Sequence, residues 1–135
     1  MSIQNKRVKD VMLDIGSFPI VNDSTILKEA LERMDDFRLG IACVVDHDSQ
    51  LLGIITDGDI RRKLLVVQKP LAAFFIDDVI NQAIKNPVTT SSEISLADAV
   101  SLMEEEKVWD LPVVDNSKLV GMLHLHPAVK ALLEE

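Results

Sequence analysis

Apolar and polar positions alternate through this chain in two rhythms that occur twice in the same order. Leu27, Ala30, Leu31 and Met34 recur at helical spacing, as do Leu96, Ala99, Val100 and Met103, so each set predicts an amphipathic helix with one buried face. Each helix pattern is followed by two β-branched and aliphatic runs separated by a polar turn. These predict hairpins of strands at Ile41 to Asp46 with Leu51 to Thr56, and at Leu111 to Asp115 with Leu119 to His124. Before each helix stands a short strand, near Pro19 to Val21 and near Pro87 to Thr89, and before that a short helix, near Val8 to Met12 and near Ile76 to Ile80. A closing helix ends each half. Ser24 or Thr25 is expected to cap the first amphipathic helix, and Ser95 with Asp98 forms a capping-box pattern at the second.

The residues themselves repeat as well as the pattern. Val8-Lys9-Asp10-Val11-Met12 answers Ile76-Asp77-Asp78-Val79-Ile80, Val44-Val45-Asp46 answers Val113-Val114-Asp115, and Gly53-Ile54-Ile55 answers Gly121-Met122-Leu123, at an offset of about 68. The chain therefore divides into one repeat over 6–68 and another over 73–134. Val66 to Phe75 between them is apolar and unlike a flexible linker, so the halves are expected to pack as one body. A half of this kind cannot bury both faces of its sheet, whereas two related halves can. The fold class is mixed α/β (α+β), with small sheets flanked by helices.

The most chemically pointed stretch is Gly53 to Arg62, G-I-I-T-D-G-D-I-R-R, where a buried strand runs directly into a helix. Gly58 is expected to permit the turn, Thr56 to end the strand and Asp59 to lie in the first helical turn. Helix starts carry unpaired N–H groups and favour anions, which suits a ligand with hydroxyls and phosphate. The plainer reading makes Asp57 the N-cap and Asp59 an acid placed favourably on the helix dipole. Arg61, Arg62 and Lys63 stand near the positive end of that dipole. Either a bound anion offsets them, or Asp57 pairs with Arg61 and Asp59 with Lys63 at i,i+4 spacing.

Composition narrows the partners. The net charge of −8 opposes non-specific binding to nucleic acid or anionic membranes, so an anionic ligand must meet a local cationic cluster. No apolar run approaches the length of a membrane span and no signal segment opens the chain, which reads as cytoplasmic. The one cysteine, Cys43, lies in an apolar strand and reads as a core residue, which excludes an intrachain disulfide. Asp46 to Asp57 fails as a calcium loop, because Leu51 occupies the glycine position and Asp57 the position of the bidentate glutamate. No nucleophile stands in a recognisable catalytic motif, so no catalytic residue is assigned. His124 and His126, two apart on a strand end, are expected to point to opposite faces and are not assigned as metal ligands.

With L-P-V-V-D at Leu111 to Asp115, G-I-I-T-D-G-D at Gly53 to Asp59 and G-M-L-H-L-H at Gly121 to His126, the chain resembles a tandem cystathionine-β-synthase (CBS) domain pair over Lys6 to Leu133. T-D-G-D-I-R-R followed by G-M-L-H-L-H resembles more narrowly the C-terminal regulatory pair of bacterial D-arabinose 5-phosphate isomerases, although sugar-nucleotide cytidylyltransferases carry a similar repeat. The resemblance implies two β-α-β-β-α repeats packed as a pseudo-twofold pair, with two ligand grooves between the halves. Carried over, the first groove uses Thr56, Gly58 and Asp59 with Asn86, Val88, Val108 and Trp109. Asp59 would accept hydrogen bonds from ribose hydroxyls, Thr56 and the helix-start amides would hold phosphate with Arg61 or Arg62, and Trp109 would either stack on a base or fill the core. The second groove departs from the family pattern. His124 stands for the threonine, as a groove hydrogen-bond donor or a packed strand-end residue, and Pro127 stands for the aspartate.

The resemblance implies a regulatory module that is not itself an enzyme. It would require no cofactor, bind AMP, ATP or CMP-Kdo, and modulate a catalytic sugar-isomerase domain absent from this chain, in the route to Kdo and lipopolysaccharide. A ligand-free scaffold is the alternative. A homodimer is expected through Leu64, Leu65, Val129, Leu132 and Leu133 on the closing helices.

Overall fold

The computed structural model describes residues 6–134. Its strands are β1 (Leu13–Asp14), β2 (Ile20–Asn22), β3 (Ile41–Val45), β4 (Leu51–Thr56), β5 (Asp110–Asp115) and β6 (Lys118–His124). Its α-helices are α1 (Leu27–Phe37), α2 (Asp57–Val66), α3 (Leu71–Ile76), α4 (Leu96–Glu106) and α5 (Leu125–Leu133), with single 3-10 turns at Val8–Asp10 and Val79–Asn81. The architecture is α+β, two small sheets with helices against them.

Two compact units form, and only one of them is a continuous stretch of sequence. One contains residues 16–87, the other residues 6–15 together with 88–134. Backbone bonds fasten the early segment to the late one: Val8 N–H donates to Ile94 O at 3.0 Å, Lys9 N–H to Ser92 O at 3.0 Å and Leu96 N–H to Lys6 O at 2.8 Å.

The two sheets share one plan. In the unit of residues 16–87, β2 runs parallel to β3, β3 antiparallel to β4, and Ile84 adds a single antiparallel bridge to Ile54 on β4. In the other unit Thr90 makes a single parallel bridge to Val113 on β5, β5 runs antiparallel to β6, and β1 completes the sheet beside β6. The expected strand near Pro87 to Thr89 is thus reduced to one bridging residue, since Pro87 has no N–H for a ladder. The expected helix near Ile76 to Ile80 divides differently as well: α3, Leu71–Ile76, occupies the end of what reads in sequence as a connector and stops at Ile76, and a 3-10 turn follows at Val79.

Glycine makes the shared plan possible at two equivalent places. A Cβ on Gly53 would stand 2.7 Å from Ile84 O, and one on Gly121 would stand 2.9 Å from Leu13 O. Both separations are far inside normal contact, so each outer segment crosses its hairpin only where a side chain is missing.

Each unit buries its own helix face. Leu27, Ala30 and Met34 of α1 pack with Ala42, Val44 and Ile55, while Leu96, Ala99 and Met103 of α4 pack with Leu111, Val113 and Leu123. Cys43 is fully buried in β3, as expected of a core residue. Capping differs from expectation at α1. Its N-cap is Ile26, and Ser24 and Thr25 instead donate to Asn22 Oδ1, because Asp77 O already accepts the Leu27 N–H at 2.9 Å. At α4, Ser95 Oγ accepts the Asp98 N–H at 3.1 Å. Among the described residues no helix is long and apolar enough to cross a membrane.

Candidate functional site

In the unit of residues 16–87, β4 passes into α2 without a loop. Thr56 is the N-cap in extended conformation (φ −129°, ψ 154°), and its Oγ1 accepts the Asp59 N–H at 3.1 Å. Asp57 is therefore the first helical residue and does not cap; its N–H donates to Gly40 O at 3.0 Å. Gly58 also lies within the helix, with no left-handed backbone, so the sharp change of direction belongs to Thr56. What the missing side chain at Gly58 allows is the approach of Arg62, whose Nη1 would lie 3.3 Å from a Cβ there. Arg61 and Arg62 are exposed.

Asp59 is the distinctive group. Its residue is half-buried, its Oδ2 is shut off from solvent, and that oxygen has no hydrogen-bond partner among the described residues. Neither of the i,i+4 pairs, Asp57 with Arg61 or Asp59 with Lys63, forms among the described residues, so the cations at the helix start are not neutralised from within α2. A buried carboxylate oxygen lacking a partner costs free energy that a hydrogen-bond donor would recover. Asn86 belongs to the same unit. The antiparallel Ile84–Ile54 bridge sends the chain beyond Ile84 toward Leu52 and not toward Thr56, and Asn86 then takes a left-handed φ of 58° in an exposed bend.

Val88, Val108, Trp109 and His124 belong to the other unit. Val88 and Val108 are half-buried against its core. Trp109 is 63% exposed, which removes the core-filling reading of that residue. Its carbonyl accepts the Leu125 N–H at 2.9 Å, and its ring lies 6.0 Å from that of His126, tilted by 48°. His124 is the N-cap of α5 in position, although its side chain makes no capping bond. Its Nδ1 lies 2.7 Å from Oδ1 of Asp110, the residue directly opposite across the hairpin. Burial pushes the Asp110 carboxyl above the usual carboxylate range, and the hydrogen bond and charge of His124 oppose that rise.

His124 and His126 do not face opposite ways. Their rings are 5.4 Å apart and T-shaped, because α5 starts at Leu125 and the two-residue alternation of a strand stops there. Among the described residues no group of three or more His, Cys, Asp or Glu side chains is arranged to hold a metal. Asp110 gives no sign of its place in the sequence, since only the hairpin register sets it against His124.

The CBS domain family model matches residues 8–66 and again 76–133. The chain belongs to the CBS domain family. As a tandem CBS pair it is similar to the CBS-pair protein CBSX2 from Arabidopsis thaliana, whose crystal structure in complex with AMP superimposes with a TM-score of 0.83 at 28% identity, covering 96% of this chain and 97% of that one. It is also similar to arabinose 5-phosphate isomerase KdsD of Yersinia pestis, 30% identical over 125 residues, which are 93% of this chain and 37% of the isomerase. A protein of Rickettsia prowazekii is 32% identical over 89% of this chain and 36% of its own length. The CBS pair thus spans a little over a third of the length of the isomerase and of the Rickettsia protein.

Proposed function

We propose that this CBS pair is a regulatory sensor that binds a nucleotide or nucleotide-sugar and modulates an attached sugar-phosphate isomerase, without catalysing a reaction itself. One observation carries the reading: the Asp59 carboxylate stands at a helix start with an oxygen withdrawn from water and given no partner, while Thr56 does the capping. A ligand hydroxyl that displaces what covers this oxygen would give it the donor it lacks, and two adjacent ribose hydroxyls suit the two oxygens of one carboxylate. Arg61 and Arg62, unpaired within α2, are the local cations for a phosphate, with Thr56 and the Gly58 backbone beside them. Asn86, Val88, Val108, Trp109 and His124 are proposed as further ligand contacts, each in its own unit.

The AMP complex of CBSX2 supports an adenine nucleotide, and the likeness to KdsD supports a D-arabinose 5-phosphate isomerase as the cytoplasmic partner, which makes the activated sugar CMP-Kdo the other candidate ligand. Calorimetry with AMP, ATP, CMP and CMP-Kdo on the wild type and on Asp59→Ala tests the reading. Saturable binding that weakens in the variant supports it, and equal affinity for both proteins sinks the assignment of Asp59.

A second reading, a dimerisation scaffold, rests on apolar side chains left in water near the ends of the closing helices: Leu65 is 80%, Val66 72% and Leu133 81% exposed. The two roles are compatible, since a ligand can act by favouring one dimer geometry.

A further inference from the structure

The two units are built on one plan, so the positions at which they differ are informative. Thr56 and His124 each end the second hairpin strand and precede the following helix, and each faces one residue across the hairpin, Ile41 for Thr56 and Asp110 for His124. In the unit of residues 16–87 the third helical residue supplies a carboxylate, Asp59, and the facing strand supplies buried Ile41. In the other unit the third helical residue is Pro127, and the carboxylate stands instead on the facing strand, at Asp110. The acid has moved from helix to strand and has acquired an imidazole in front of it.

That pair has a defined chemistry. The Asp110 side chain is 11% exposed and its Oδ1 lies 2.7 Å from His124 Nδ1. An ionised carboxylate only accepts, so a ring proton sits on Nδ1, and where the ring carries that one proton Nε2 is left as an acceptor. Nε2 has no partner among the described residues, and the side chain keeps 24% of its surface. Around it stand the His126 ring at 5.4 Å and, beyond that, exposed Trp109. The start of α5 offers little to a phosphate: the Leu125 N–H is taken by Trp109 O, and Pro127 has no N–H.

We propose that Asp110 is a positioning residue that holds His124 as its Nδ1–H tautomer, so that Nε2 accepts a hydrogen bond from a hydroxyl of a nucleoside-type ligand beside Trp109. The imidazole with its carboxylate stands in for the acid that the second helix start lacks, and this unit selects the uncharged, hydroxyl-bearing part of a ligand over its phosphate. The inference rests on the reading of the chain as a nucleotide-class sensor.

Long-range proton–nitrogen NMR of the imidazole rings near neutral pH tests it on the whole chain, with adenosine as the probe and inorganic phosphate as the comparison. The expected spectrum shows His124 protonated at Nδ1 and bare at Nε2, with an Nε2 resonance that adenosine shifts and phosphate leaves in place. In Asp110→Asn the amide can donate to Nδ1, so the proton moves to Nε2 and the adenosine response weakens roughly tenfold. His124→Ala removes the response at this unit and serves if Asp110→Asn fails to fold. A bare Nδ1 in the wild type, a shift produced by phosphate alone, or an Asp110→Asn protein that keeps both tautomer and response overturns the proposal. Adenosine that shifts the Gly58 amide but not His124 overturns this inference alone. Adenosine that shifts neither overturns the ligand half of this inference and leaves the nucleotide reading to the calorimetry with AMP, ATP, CMP and CMP-Kdo, while the tautomer still decides the role of Asp110.

Discussion

Thr56 and Asp59 divide two tasks at the start of α2: the Thr56 hydroxyl accepts the Asp59 N–H at 3.1 Å, and the Asp59 carboxylate is left out of the cap, with Oδ2 unpartnered and out of solvent. An acid that held its own helix together would lower the energy of the empty protein. This one makes no capping bond, so its removal is expected to harm binding without harming the fold.

Asp59→Ala is expected to weaken nucleotide binding about 10- to 100-fold, the value of a hydrogen bond to a charged group. The same variant without ligand should melt no lower than the wild type, because an unsatisfied buried oxygen disappears. Parallel calorimetry and thermal melts check the two halves. A clear loss of stability in the empty variant would show that the carboxylate is structural.

Thr56→Val keeps the shape of the side chain and its extended backbone preference but deletes the cap. A destabilisation of about 0.5–2 kcal/mol is expected in urea unfolding, and none would mean that the Asp59 N–H finds another acceptor without loss.

Gly53→Ala sets a methyl carbon 2.7 Å from Ile84 O, and that carbonyl is held where it is by the Ile54 N–H at 3.0 Å. Backbone cannot swing aside as a side-chain tip can, so the expected cost is about 1–3 kcal/mol. A variant with an unchanged urea midpoint would refute the close crossing.

Acid should act through Asp115 and Asp110 with opposite signs. Hydrogen bonds from the Ser92 hydroxyl and N–H hold Asp115 below the usual carboxylate range, so its contribution is complete above the unfolded value and is lost as the pH falls through the lowered folded one. Burial raises Asp110, so its contribution favours the fold at low pH and is lost as the pH rises into the raised range. Ser92→Ala is expected to shift acid unfolding to higher pH, followed by circular dichroism across a pH series. An unchanged midpoint would mean that the Ser92 bonds do not survive in solution.

Leu65→Asp and Leu133→Asp place charge on the most exposed apolar side chains of the closing helices. If these helices dimerise the chain, sedimentation should show the variants as monomers at concentrations at which the wild type is a dimer. Identical sedimentation would exclude this face as the contact.

Much of the fold is written in local pattern. The apolar faces of α1 and α4, the two hairpins and the repeat that relates them all follow from side-chain period, which each stretch carries in itself. So does the passage from β4 into α2 with Thr56, Gly58 and Asp59 in sequence. Other features depend on which segments meet, and no local signal holds them. Two-residue β1 has no period to read, and Thr90 alone pairs where a strand near Pro87 to Thr89 is expected. Ile26 caps α1 in place of Ser24 or Thr25, because a distant carbonyl, Asp77 O, had already met the helix start. Residues 6–15 join residues 88–134 in part through backbone bonds, which leave no mark in the side-chain pattern. Asp110 meets His124 only because the hairpin register sets them opposite, and the two histidines turn together only because the helix begins between them. Sequence determined the elements and the acid at the helix start, since period and capping act within a few residues. Tertiary structure alone decided which polar groups found partners and which, like Asp59 Oδ2, were left for something else to satisfy, because partnership and burial are set by segments far apart in the chain.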